Sequence, residues 1–461
     1  MNSKTIENTF KRWLPSPFSI AILLTLITLI LTLTFGDFKG EDAQIVLAFK
    51  AWKSGLWNSG LMRFLVQMML MLILGHVLAL SPIAEKSIQY FLKYIKSSRD
   101  AIWFISVFSI ALGLFNWGLG LIFSAIFAQK IGQHAIKNNI KVNYSLIVAT
   151  AYSSLMVWHG GISGSAPAKV AETNHLKELL KGSISQEKLQ HFPEYIDYSQ
   201  TIFSTMNIIV MLALLIIIPI AVQFLNKKLP QSLPPKHILI EEQEPMVPKL
   251  LIGAEKIDYS KGFIKTIGVF VLIISMLDIF YWSPTILRSI NPDGINLFLL
   301  GLSLFCHKNI QSFLLACGKA IGGGTGILIQ FPLYFGIMAL MNQSGVVQQM
   351  SNVFVSISNQ TTFPIFTFIS AGIVNIFVPS GGGQWGVQGP IIMQAAEYIG
   401  VGYGKTIMAL AYGDQLTNML QPFWALPLLG VTKLKAVDIL PYTLYLFIIG
   451  GIIFGLSLLI F

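Results

Sequence analysis

A lone acid in an apolar stretch is the first residue that invites chemistry. Asp414 lies in Ala411-Tyr-Gly-Asp-Gln-Leu-Thr-Asn-Met-Leu-Gln-Pro422, near the middle of a hydrophobic window. If that window crosses a bilayer, an ionised carboxylate there is costly and must face a cavity, a cation or a proton. The plainer alternative is a structural partner for Lys319 or for helix-end N–H groups. Gln415, Thr417, Asn418 and Gln421 follow Asp414 and precede Pro422, whose ring should break the helix. An earlier run has the same character: Ser153, Ser154 and His159-Gly-Gly-Ile-Ser-Gly-Ser165, closed by Pro167. Carbonyls freed at such breaks can bind a cation, and positive helix N-termini can hold a carboxylate. Asp414, Gln415, Ser153 and Ser154 are thus candidates for ion coupling, with a sodium ion near Asp414 or a proton on it. Ser163, Ser165, Thr417 and Asn418 are candidates for substrate contact. Flexible packing of small-residue helices is the competing explanation.

The segment Phe377-Val-Pro-Ser-Gly-Gly-Gly-Gln-Trp-Gly-Val-Gln-Gly-Pro390 separates two apolar arms, 362–376 and 391–399. Each arm is shorter than the roughly 20 residues of a spanning helix. Irregular backbone inside a membrane must be buried in protein or line a watery cavity, because lipid satisfies no N–H or C=O. Re-entrant hairpins of this kind build substrate sites from helix ends and bare backbone. Ser380, Gly381, Gly382, Gly383, Gln384 and Trp385 at this tip, and Asn116, Trp117 and Gly118 at a similar interruption, complete the candidate substrate contacts. Ser380–Gly383 lacks the lysine and preceding strand of a phosphate loop. Gly322-Gly-Gly-Thr-Gly326 reads as a kink or a close helix contact. Trp117 and Trp385 are expected to wall an apolar pocket. Lys319 either neutralises an anion or snorkels to the cytoplasmic face. His76 and His159 read first as satisfied core histidines, with proton relay as the alternative.

The elements that must position these residues follow from composition. The chain has 461 residues, 54% hydrophobic and 11% charged, with mean hydropathy +0.67. Soluble domains carry about 25% charged residues. Apolar windows fall near 14–35, 61–81, 101–134, 143–165, 201–225, 263–283, 294–306, 312–341, 362–399, 405–430 and 439–461. The expectation is an all-α polytopic membrane protein. The net charge of +10 sits in short loops and indicates no nucleic-acid partner. Cys306 and Cys317 have neither metal-ligand nor disulfide-framework spacing, and 14–35 is too long for a cleavable leader.

With the N-terminus cytoplasmic, the inside segments hold 20 Lys/Arg against 10 outside, while acidic residues are nearly balanced. That asymmetry is the orientation signal of membrane proteins. The hairpin at 101–134 then enters from the cytoplasm and the one at 362–399 from outside. Trp117-Gly118 answers Trp385-Gly386, and the Ala-Tyr step at 151–152 answers that at 411–412. Phe64-Leu-Val-Gln67 likewise parallels Ile327-Leu-Ile-Gln330. The expected plan is an inverted repeat. One half (1–225) holds hairpin 101–134 and broken helix 143–165. A polar linker (226–262) leads to the other (263–461), with hairpin 362–399 and broken helix 405–430. The polar stretch 169–200 has room for a short surface helix at 172–180.

At these residues the chain resembles the bacterial short-chain fatty acid transporter family, named for acetoacetate and butyrate uptake. The likeness is carried by Phe115-Asn-Trp-Gly-Leu-Gly120, Gly161-Ile-Ser-Gly-Ser165 and Val378-Pro-Ser-Gly-Gly-Gly-Gln-Trp385 with Gln388-Gly-Pro390. Ala411-Tyr-Gly-Asp-Gln415 with Gln421-Pro-Phe-Trp-Ala-Leu-Pro427 completes it, and it runs from Arg12-Trp-Leu-Pro-Ser-Pro17 to the C-terminus. Two positions depart from the family's pattern: Asp414 where glutamate is expected, and His159 where glycine is expected. The resemblance implies a secondary carrier in the bacterial inner membrane, related to an ion-transporter grouping with elevator movement and homodimers. It also implies symport of short-chain monocarboxylates with a proton or sodium. It implies no cofactor and no enzymatic activity. Rival readings are a carrier for dicarboxylates or acyl amino acids, which needs more fixed positive charge than Lys319 alone, and a channel. A membrane acyl enzyme would need Ser163 or Ser165 beside His159.

The charge asymmetry generates a direct test. Single cysteines at Asn138 and Gln349, in a Cys306→Ser, Cys317→Ser background, should react oppositely with an impermeant maleimide on whole cells. Gln349→Cys labels and Asn138→Cys does not. Equal labelling overturns the inverted arrangement.

Overall fold

A computed structural model describes residues 17–181, 186–239, 253–282, 292–379, 381–421 and 424–461. These residues are helical apart from turns and one isolated antiparallel bridge, Val142 to Ser232. The first group is α1 (Pro17–Phe35), α2 (Gln44–Leu56), α3 (Ser59–Ala79) and α4 (Pro82–Leu92). Then come α5 (Ser98–Phe115), α6 (Trp117–Lys137), α7 (Tyr144–Ala151), α8 (Ser165–Ala171), α9 (His175–Leu180), α10 (Gln186–His191) and α11 (Thr205–Lys228). The second part runs α12 (Lys261–Leu277), α13 (Pro292–Cys306), α14 (Ile310–Gln343), α15 (Val346–Ser356) and α16 (Phe363–Phe377). It ends with α17 (Gly381–Ile399), α18 (Tyr403–Thr417), α19 (Leu426–Thr432) and α20 (Ala436–Ile460).

Four helical stretches among the described residues are long and apolar enough to cross a membrane: Ser98–Phe115, Thr205–Lys228, Lys261–Trp282 and Ala436–Ile460. They leave apolar side chains outward, among them Ile216 and Ile220 of α11, Phe270 and Ile273 of α12, and Ile452 and Leu456 of α20. Contiguous apolar faces of this extent suit lipid, not water. The 34 residues of α14 give it a length of about 51 Å at 1.5 Å per residue, which exceeds a bilayer core of about 30 Å. It packs on α1, α2 and α3, while α13 packs on α12 and α3, so these helices form one group. The hairpin and broken-helix elements α5–α8 and α16–α20 form the other.

The two hairpins turn where the sequence places them, but the interruptions are shorter. Residues 117–120 and 381–390, expected as irregular backbone, are helical, and the second arm runs 19 residues from Gly381 instead of 391–399. The reason is that a glycine-rich run buried among its neighbours can still close intrahelical hydrogen bonds. α5 ends at Phe115, Asn116 takes an extended conformation (φ −154°, ψ 126°), and α6 starts at once and packs back on α5. α16 ends at Phe377 and α17 begins at Gly381; Ser380, between them, lies outside the described residues. α7 gives way to 3-10 turns at Tyr152–Met156 and Trp158–Gly160, with extended backbone at Gly161. α18 gives way to a 3-10 turn at Asn418–Leu420, followed by extended Gln421. Pro422 and Phe423 lie outside the described residues.

Three amphipathic helices were not anticipated from sequence: α2, α4 and α15. Each is about 11–13 residues, too short for a span, and each buries one face on a neighbour, α2 on α14 and α15 on both arms α16 and α17. The stretch 169–200 is also more than an external loop with one helix. Val170, Leu176, Leu180, Phe192 and Ile196 share a core with Trp385, Ile392 and Met393 of α17, capping the second hairpin. The start of the polar stretch after α11 is pinned, since Gln133 Nε2 donates to the Ile238 carbonyl at 2.9 Å.

Glycines let these parts meet backbone to backbone. A methyl group built on Gly113 would sit 2.4 Å from the Ser154 carbonyl oxygen, and one on Gly413 would sit 2.2 Å from that of Phe368. Each hairpin's first arm therefore lies directly on a broken helix. Gly413→Ala should lower the melting temperature of the detergent-solubilised protein by several degrees, since overpacking costs about 1–3 kcal/mol. Gly430→Ala, with nothing within 4 Å of the added methyl, should leave it unchanged or raised. Equal behaviour of the two variants would refute the close approach.

Candidate functional site

The two helix breaks face each other and satisfy one another's freed backbone. Tyr152, at the end of α7, aims its hydroxyl at the carbonyls of Asn418 (3.1 Å) and Gln421 (3.0 Å). Tyr412, the answering residue of α18, donates to Asn207 Oδ1 at 2.9 Å, and Asn207 Nδ2 donates to the Gly160 carbonyl at 2.8 Å. Gln415 Oε1 accepts the N–H groups of His159 (2.9 Å) and Gly160 (3.0 Å). Asn375 Nδ2, from α16, donates to the Asp414 carbonyl (2.8 Å) and to Thr417 Oγ1 (2.9 Å). Gln421 Nε2 returns to the Asn375 carbonyl at 3.0 Å, and Asn418 Nδ2 reaches the Leu155 carbonyl at 3.3 Å.

Asp414 and His159 meet at the centre. Asp414 Oδ2 lies 2.5 Å from His159 Nδ1, with the residues 1% and 0% exposed. His159 Nε2 accepts the N–H of Ala166 at 2.9 Å, and a backbone N–H can only donate. The ring proton therefore sits on Nδ1 and the imidazole is neutral. With its carboxyl ionised, the pair carries one buried negative charge. Among the described residues no lysine or arginine forms an ion pair with Asp414. The two positions where the resemblance leads one to expect other residues are thus in contact, an association invisible across 255 residues of sequence. Both ring nitrogens are engaged, and Ser163 Oγ accepts the Trp117 N–H at 3.1 Å. Neither Ser163 nor Ser165 shares a hydrogen bond with His159, so the serine–histidine pair of the enzyme reading is not assembled.

The second hairpin's tip rests on this pair. A methyl on Gly381 would lie 2.8 Å from both His159 Cε1 and Trp158 Cη2, and one on Gly382 would lie 3.9 Å from Ser165 Cβ. Gly382, Gly383, Ser163 and Ser165 are half-buried, whereas Gly381, Asp414, Gln415, Ser153 and Ser154 are buried. At the first tip Asn116 Oδ1 caps α6 by accepting the Leu119 N–H at 2.9 Å, and Gly118 packs near Met71. Gln384 donates to the Ala371 carbonyl at 2.8 Å and to Gln388 Oε1 at 3.0 Å.

The two tip tryptophans do not share a wall. Trp117 packs edge-on against Trp158 and Trp424, at centroid distances of 6.5 and 5.5 Å. Trp385 is buried in the cap, donating its indole N–H to His175 Nε2 at 3.1 Å. Burial lowers the His175 pKa below its usual value, with Lys169 adding to the shift. Trp158, unnoticed in the sequence, takes the place expected of Trp385 by stacking on His159 at 4.6 Å. Its only sequence signal was adjacency to His159. Lys319 is exposed on α14, apart from the buried cluster, and His76 is half-buried in α3.

Several buried polar atoms of the breaks have no partner: Ser153 Oγ, Ser154 Oγ, Asn375 Oδ1 and Gln421 Oε1 among acceptors, Trp158 Nε1 and Gln415 Nε2 among donors. The oxygens are of the kind that bind a hard monovalent cation. No group of three or more His, Cys, Asp or Glu gathers in transition-metal fashion among the described residues.

Comparison with known proteins bears on the whole chain. A family model described as short chain fatty acid transporter matches residues 2–461. A protein of Escherichia coli strain K12, provisionally named a short-chain fatty acid transporter, is 32% identical over 466 residues, covering 100% of this chain and 99% of the relative. One from Haemophilus influenzae, named likewise, is 32% identical over 460 residues, covering 99% and 98%. Among solved structures, the YdaH transporter of Alcanivorax borkumensis is similar at 13% identity and a TM-score of 0.48, covering 96% of this chain and 98% of that one. MtrF of Neisseria gonorrhoeae, reported with a class of antimetabolite efflux pumps, gives 13% and 0.43, covering 98% and 97%. With a family model and two relatives matched from end to end, the chain belongs to the short chain fatty acid transporter family.

Proposed function

We propose that this protein is a secondary carrier that takes up short-chain fatty acids such as butyrate or acetoacetate by symport with a proton or sodium ion. The observation that carries the coupling is the buried His159–Asp414 pair beneath the Gly381 tip. A substrate carboxylate held at that tip adds a second negative charge a few ångströms from the first. Like charges at short range in a low-dielectric site repel by several kcal/mol. A cation that joins Asp414 removes the repulsion, so cation and anion each raise the other's affinity, and reciprocity makes that coupling. A proton needs only Asp414 Oδ1, which makes no hydrogen bond to any described residue. A sodium ion would draw on the unpartnered oxygens of Ser153, Ser154, Asn375 and Gln421.

The family assignment supports the acid as substrate, and a seam in which no described lysine or arginine pairs with Asp414 supports a monocarboxylate over a dicarboxylate. In this reading α5–α8 and α16–α20 move as the transport unit against the group α1–α3 and α12–α14. It further includes inverted halves 1–225 and 263–461 joined by 226–262, a homodimeric assembly, and an inner-membrane location with the N-terminus in the cytoplasm.

Two expected outcomes test it. In proteoliposomes under an imposed tenfold proton or sodium gradient, the native protein should accumulate labelled butyrate up to about tenfold at one-to-one coupling. Asp414→Asn still accepts the His159 proton but has no charge to neutralise. It should equilibrate butyrate without accumulating it, and full concentrative uptake would make the residue structural. Succinate uptake without monocarboxylate uptake would remove the substrate assignment. At the tip, the methyl built on Gly382 meets only Ser165, in ordinary contact, so a side chain there is tolerated by the fold. Gly382→Val should keep the native melting temperature and raise the KM for butyrate at least about tenfold by filling the substrate's approach to the main chain. An unchanged KM would take the tip out of the site.

A further inference from the structure

Two donors, one from each break, have no hydrogen-bond acceptor among the described residues. Trp158 is 9% exposed and Gln415 0% exposed, and neither the indole N–H nor the Gln415 amide N–H finds an acceptor. A buried donor without a partner costs about 1–3 kcal/mol, so each calls for an explanation. Their orientations are fixed by other contacts. Trp158 is clamped by stacking on His159 and by the edge of Trp117, and Gln415 by the His159 and Gly160 N–H groups on its oxygen. The amide nitrogen of Gln415 is thereby held beside the turn that begins at Trp158. The six-membered ring of Trp158 is the part nearest Gly381, with Cη2 2.8 Å and Cζ2 3.2 Å from a methyl built there, and Cζ2 adjoins the ring carbon that bears Nε1. Gly381 is the first residue of the 19-residue helix α17, whose opening N–H groups have no intrahelical acceptor. The turn that begins at Trp158 thus touches the first residue of α17 through the indole ring and Gln415 through its backbone N–H groups, and both unpartnered donors belong to this contact.

We propose that Trp158 and Gln415 bind the substrate's carboxylate together with the start of α17, the indole N–H and the amide N–H each donating to it. The proposal rests on the carrier reading above and assigns its anion-binding donors. A carboxylate accepts several such bonds, which matches donors beside the His159–Asp414 pair. The ligand class is a monocarboxylate with a short apolar tail. Trp117 lies next to Trp158 and is backed by Trp424, and these rings offer that tail an apolar wall. Trp158 also explains why the site needs no lysine, because neutral, fixed donors hold an anion without adding a charge that would retain it through the cycle.

The test compares the native protein with Trp158→Phe, which keeps an aromatic ring and loses the N–H. Gln415→Glu serves as the second variant, since it keeps the acceptor oxygen for His159 and Gly160 and loses the amide donor. Butyrate uptake and competition by its neutral amide, butyramide, are measured in proteoliposomes. A hydrogen bond to a charged group corresponds to a roughly 10- to 100-fold change in affinity. Each variant should raise the butyrate KM by at least about tenfold and lose preference for butyrate over butyramide. A purely structural defect would weaken both ligands alike and keep the preference, which would overturn the proposal. Unchanged KM values in either folded variant would overturn it as well, with the carrier reading intact. A native protein that transports no short monocarboxylate would remove the carrier reading, and this inference with it.

Discussion

A membrane gives a broken helix no solvent to turn to, so every N–H and C=O freed at a break must find a partner inside the protein. In this chain the two breaks supply each other. The Tyr152 hydroxyl meets the carbonyls of Asn418 and Gln421, and Gln415 takes the N–H groups of His159 and Gly160. Asn375 and Asn207 link the hairpin arm α16 and the long helix α11 to the same seam. Neither break is satisfied alone. The seam is therefore an obligate structure, and the hairpin tips, the caps and the close glycine contacts are arranged around it.

Charge is treated differently from backbone. The seam pairs freed backbone groups across the two breaks yet leaves the Asp414 carboxylate with a single neutral side-chain partner among the described residues, His159, held in one tautomer by the Ala166 N–H. A fully compensated acid would be inert to ions, and an unpartnered one would destabilise the fold. A neutral imidazole lies between these limits: it orients the carboxylate and satisfies one oxygen without cancelling the charge. On the proposed reading, the cation that answers this charge comes from outside the protein, and the coupling to a gradient follows from it.

The cap 165–200 and the helix α15 add a second layer. They cover the second hairpin with apolar side chains and, through the His175–Trp385 bond, fix the ring of a tip residue away from the seam. The first hairpin keeps Trp117 at the seam instead, among Trp158 and Trp424. Two tips alike in sequence are thus used for different ends, one as an aromatic wall and one as a glycine platform.

The sequence by itself determined the helical class, the positions of the interruptions and the polar runs of both breaks. Those properties are written in local patterns: hydropathy over about 20 residues, glycine and proline at the breaks, and a rare acid in an apolar window. It also singled out Asp414 and His159, against the residues that the resemblance leads one to expect there. Amphipathic α2, α4 and α15 were not legible, because half-polar helices on a membrane protein look like loops until a partner surface is known. Tertiary structure alone decided that Asp414 contacts His159, that Trp158 and not Trp385 lies at the centre, and that Lys319 stays outside. Each of these depends on which faces of distant helices are brought together, and packing over hundreds of residues leaves no periodic trace in the chain.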